Sequence, residues 1–89
     1  MSRAIGDPNE LERFAHSLSN FIDKMNEAVD ELNYSFNSLG ESWQDEKRAS
    51  FEEEYRVLLQ QLNHFEDNSS EQIAYLMKLA AHLKDYLQS

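Results

Sequence analysis

Three histidines (His16, His64 and His82) and seventeen Asp and Glu residues are the side chains of this 89-residue chain that could move a proton or hold a metal. Their spacing argues against both. A di-metal centre inside a helical bundle uses a Glu three residues ahead of a His, so that both ligands project inward together. Here the residues three before the histidines are Arg13, Gln61 and Leu79. Glu12 and His16 lie four apart and read as an ordinary exposed pair on one helical face. No cysteine is present, which removes a thiolate nucleophile, a zinc ribbon and a disulfide framework. No Ser-His-Asp order, glycine-rich phosphate loop or aromatic stacking platform stands out either. The expectation is a protein with no catalytic residue, no metal and no cofactor.

The residue that patterning explains least is Trp43, the only tryptophan, near the middle of the chain. A ring of that size can simply cover the ends of two helices. It can also line a surface cleft and anchor a partner, because it offers a large apolar body with one polar handle.

Charge narrows the partners. Eight basic against seventeen acidic residues give a net charge of −9, which opposes a nucleic-acid backbone and an anionic membrane surface. The first half is the more acidic: residues 1–45 hold 9 acids and 3 bases, residues 46–89 hold 8 and 5. No stretch approaches the ~20 apolar residues of a membrane span, and the first fifteen residues lack the apolar core of a secretory leader. A single domain over residues 1–89 is expected, since no linker, repeat or low-complexity run divides it. So short a chain buries only ~60 % of its unfolded surface, which favours very regular helix packing or association.

The elements that must carry Trp43 are helices. Asp7-Pro8-Asn9-Glu10 is a helix start, with Asp7 to accept from free amides, Pro8 at the first position and Glu10 to reach back. Apolar residues then recur every seven positions: Leu11, Leu18, Met25, Leu32 and Leu39 in one row, Phe14, Phe21 and Ala28 in a second. Ala15, Ile22, Val29 and Phe36 make a third row beside them. Three apolar positions in seven is wider than the two of a dimeric coiled coil, so this helix should touch two neighbours. Gly40 falls where a helix C-cap takes positive φ, which ends helix 1 (about 8–39) at Leu39. Ser42, with Asp45 three residues on, can cap helix 2 (about 43–87).

Helix 2 carries Phe51, Tyr55, Leu58, Leu62 and Phe65, then Ile73, Leu76, Ala80, Leu83 and Leu87. The two stretches are out of phase, and Glu66 to Gln72 has no large apolar side chain between them. Either one long helix absorbs the slip as a stutter, or the chain turns at Asn68-Ser69-Ser70 into a third helix; the absence of Gly and Pro favours the long helix. The fold class is therefore all-α, an antiparallel helical hairpin. Alone it leaves each wide apolar face half covered, which a second hairpin would hide by closing a four-helix bundle dimer. The surface expected at that interface is Phe14, Ala15, Leu18, Ile22, Met25, Val29, Leu32, Phe36, Leu58 and Leu62.

At its turn the chain resembles the WXG family, the small ESAT-like helical hairpins handled by bacterial type VII secretion and named for a Trp-X-Gly between their helices. Leu39 lies four before Trp43, Phe51 follows eight later where the family usually has an aromatic, and Tyr55 continues that face. Length, central tryptophan and absent cysteine agree. The specific likeness covers Leu39 to Tyr55. Asp45 replaces the glycine of the motif, and the family's C-terminal Tyr-x-x-x-acid signal is not met, since Tyr75 is followed by Leu79 and Tyr86 by three residues. The resemblance implies an antiparallel four-helix dimer, homodimeric or paired with a related hairpin that supplies the signal. It also implies export without a leader peptide, and a role as effector, adaptor or targeting partner in contact with the secretion machinery or a co-exported protein. The partner-binding turn would be Leu39, Gly40, Trp43, Asp45, Phe51 and Tyr55. The alternative is a cytoplasmic acidic adaptor or chaperone for a basic partner.

Overall fold

The computed structural model describes residues 6–88 and consists of two long helices, α1 (Pro8–Ser42) and α2 (Lys47–Gln88), packed antiparallel in a rod of 67 × 18 × 17 Å. Helix α1 begins as its sequence directs. Asp7 is extended, its carboxylate accepts from the Asn9 amide at 2.9 Å, and its carbonyl accepts from Glu10 and Leu11 at 3.0 and 3.1 Å. Three of the amides that every helix start leaves unpaired are thus satisfied locally.

The end of α1 departs from the expectation. Gly40 is not a cap: it is buried inside the helix, and the only glycine with positive φ among the described residues is Gly6. The helix continues to Ser42 because side chains take over the task of a glycine turn. The Ser42 hydroxyl donates to the Leu39 carbonyl at 3.2 Å, and the Gln44 amide donates to the carbonyls of Gly40 and Glu41 at 3.2 and 3.4 Å. Trp43 then leaves in an extended conformation, its own N–H still bound to the Leu39 carbonyl at 3.0 Å.

Helix α2 starts at Lys47 and not near residue 43, and Asp45, not Ser42, caps it. The Asp45 carboxylate accepts from the Lys47 amide at 3.0 Å and its carbonyl from Arg48 at 3.2 Å. The helix is continuous through Glu66 to Gln72, so no third helix forms.

The seam between the helices is a heptad in both. On α1 it runs through Pro8, Ala15, Ile22, Val29 and Phe36, with Trp43 just past its end, and on α2 through Arg48, Tyr55, Leu62, Ser69, Leu76 and Leu83, all buried or half-buried. The row that begins at Ala15 is thus the centre of the intramolecular contact, and not a border of it. Phe36 stacks on Tyr55 with ring centroids 4.4 Å apart, which fixes the register. Stepping seven residues at a time sets Val29 level with Leu62, Ile22 with Ser69 and Ala15 with Leu76. Small residues close the gap where the helices meet: Ala15 is 1 % exposed and Ala80 0 %.

This register removes the apparent slip in α2. Tyr55, Leu59, Leu62, Glu66, Ser69, Ile73, Leu76, Ala80 and Leu83 alternate steps of four and three without interruption, all of them at least half-buried. No stutter is needed. What changes along α2 is the flank: Phe51, Leu58 and Phe65 border the seam on one side in the first half, Ile73, Ala80 and Leu87 on the other in the second.

Candidate functional site

No three His, Asp or Glu residues among those described converge as metal ligands. Glu12 turns to the other helix, where Lys84 Nζ lies 2.8 Å from its carboxylate. The Glu53 carboxyl is held below its ordinary pKa first by the hydrogen bond from Arg56 and then by that residue's charge, while Arg56 and Arg13 are raised by Glu53 and Glu10 in the same way. These are exposed pairs three residues apart on one helix.

The turn gathers four rings. Trp43 packs against Phe51 at 5.6 Å, Phe51 against Phe36 at 6.0 Å, and Phe36 against Tyr55. The Trp43 indole N–H donates to the Asp45 carboxylate at 2.7 Å, so one oxygen holds both the ring and the first amide of α2. A glycine at position 45 could do neither. Tyr55 is buried and its hydroxyl donates to Asn33. Gly40 leaves room for Arg48, whose guanidinium would lie 2.6 Å from a Cβ added there and which pairs with Glu52 at 3.3 Å. Of the six turn residues read from the sequence, Gly40 and Tyr55 therefore serve the packing, Trp43, Asp45 and Phe51 form the cluster at the tip, and Leu39 is exposed beside them.

The residues assigned to an interface divide in the same manner. Ala15 and Ile22 are buried by α2 of the same chain, and Leu18, Met25, Val29, Phe36 and Leu62 are half-buried. Phe14, Leu32 and Leu58 remain open, and the structure adds four exposed side chains to them: Phe21, Leu39, Phe51 and Phe65. All seven lie on one side of the hairpin. Phe21 meets Phe65 edge to face at 6.1 Å, and Leu32, Ser35, Phe36, Leu39, Phe51, Tyr55 and Leu58 line a groove of about 280 Å³ near the turn.

Three heptad rows make this side: Leu11 to Leu39 and Phe14 to Ser35 on α1, and Phe51 to Tyr86 on α2. They contain no Asp, Glu, Lys or Arg, although the chain is 28 % charged. The opposite side of the seam mixes apolar and polar residues and carries ties between the helices. There Asn26 donates to Glu66 at 3.5 Å and Lys84 pairs with Glu12. Phe21 shares its heptad row with Phe14 and Phe65 shares one with Phe51 and Leu58, so both were within reach of sequence reasoning. Asn33 and Arg48 were not, because the register sets what they meet on the other helix; Gln44 was missed because its partners are backbone carbonyls three and four residues back. No family model matches the sequence, and neither a curated protein nor a solved structure is significantly similar to it. No helix among the described residues is long and apolar enough to cross a membrane.

Proposed function

We propose that this protein acts by binding protein and not by catalysis, as a WXG-like hairpin that pairs with a second hairpin into a four-helix bundle and serves secretion as effector, adaptor or targeting partner. The observation that carries the pairing is the uncharged side. Seven large apolar side chains about half exposed offer on the order of 600 Å², at the upper limit of the largest patch on an ordinary monomer and close to one partner's share of a stable interface. A chain of charge −9 that keeps every charge out of three adjacent rows is shaped for contact there.

The secretion half of the reading rests on the resemblance at the turn. Trp43 presents a ring face at the tip of the rod while its N–H is taken by Asp45, so a partner would meet the apolar surface of the indole. Trp43→Ala should leave helicity within a few per cent and reduce export or capture of a co-exported protein several-fold. Unchanged export would remove the role given to Trp43. For the pairing, light scattering at micromolar concentration should return a mass near twice 10.4 kDa. The acidic outer faces favour a second reading, the cytoplasmic adaptor for a basic partner, whose binding would fall steeply with added salt.

A further inference from the structure

We propose that the groove beside the turn is a socket for the Phe14 ring of a second copy of this chain, an inference that rests on the pairing proposed above and names its occupant. The most exposed phenylalanine is Phe14, at 60 %, followed on the same row by Phe21 at 52 %. The row continues as Ala28 and Ser35, and Ser35 lies in the groove. Reading Phe14, Phe21, Ala28, Ser35 along α1 gives two large residues and then two small ones.

That order has a consequence for self-pairing. If two copies run antiparallel about a two-fold axis, Phe14 faces the partner's Ser35 and Phe21 faces the partner's Ala28, ring into gap at all four places. A parallel pair would set ring on ring and gap on gap. The axis of the antiparallel pair falls between residues 24 and 25, and the midpoint of α1 (Pro8–Ser42) is residue 25. The offset that fills both sockets is therefore the offset that overlaps the two hairpins along their whole length. A partner without this row would have to supply the same order by coincidence.

The test is an exchange. Phe14→Ser empties both sockets of the dimer, and Ser35→Phe blocks both; each should weaken dimerisation on the order of 100-fold by analytical ultracentrifugation. Both positions are exposed in the single hairpin, so circular dichroism should show unchanged helicity. The double variant, Phe14→Ser with Ser35→Phe, restores a ring facing a gap and should recover at least tenfold of the lost affinity, a gain that two independent defects cannot produce. Spin labels on Ser42→Cys should lie about 50 Å apart at 1.5 Å per residue in the antiparallel pair, and far closer in a parallel one. A dimer whose exchange variant shows no recovery, or whose labels are close, overturns the socket and leaves the pairing standing. A chain that stays monomeric at hundreds of micromolar overturns both.

Discussion

The two ends of the rod are held by different means. At the turn, large rings are stacked and latched: Trp43 on Phe51, Phe36 on Tyr55, one carboxylate on two donors. At the open end the seam narrows to Ala15 and Ala80, and the polar tie across it is Glu12 with Lys84. Rings fix which residue meets which, because a stacked pair tolerates little sliding. Alanines let the backbones approach, and so add contact along the rod without specifying register. One end decides the pairing and the other end extends it.

Removing a ring should therefore cost most. Tyr55→Ala deletes the stack on Phe36 and strands the side-chain oxygen of Asn33, and a loss of about 3 kcal/mol is expected in urea unfolding. At the other end the damage comes from addition: Ala80→Leu should destabilise by about 2 kcal/mol, since a side chain with no exposed surface has no space to grow. Equal effects of Ala80→Leu and a surface Ala→Leu would deny the close approach. Asp45→Gly, which restores the residue of the WXG motif, should cost about 1 kcal/mol through the lost cap and shift the Trp43 emission as its N–H changes partner.

The sign of Gly40→Ala sharpens the account of the turn. A C-cap glycine with positive φ would be damaged by alanine, whereas a glycine inside a helix should gain up to about 1 kcal/mol, less what it costs Arg48 to swing aside. A small gain in melting temperature is expected. Lys84→Ala should change stability by less than about 1 kcal/mol, most at low salt, as a half-buried ion pair still reached by solvent does.

Much of this architecture was legible in the sequence. The start of α1 is written in Asp7 and Pro8, and the heptads specify two helices. Their ends were harder to read. Gly40 looks like a cap until Ser42 and Gln44 are seen to occupy the carbonyls it would have freed, and those are contacts between side chain and backbone that no spacing rule announces. The phase of α2 misled for another reason: apolar residues mark a flank as readily as a seam. Ser69 and Glu66 hold seam positions because the opposing helix, not the local pattern, decides what is covered. At the turn, the type of residue 45 was visible, but its double use, on an indole and on a helix amide, needed the positions of both donors.

The antiparallel register also governs how the molecule comes together in time. Partners across the seam are separated by a span of chain that grows with distance from the turn: Tyr55 and Asn33 are 22 residues apart, Asn26 and Glu66 are 40, Glu12 and Lys84 are 72. Closing the short spans first costs the least chain entropy, and each closure shortens the loop that the next must close. The hairpin is thus expected to fold as a zipper with its teeth seated at the aromatic end. Replacing Tyr55 should slow folding, while replacing Ala80 should leave the folding rate nearly alone and speed unfolding, a kinetic asymmetry read from the two limbs of a chevron.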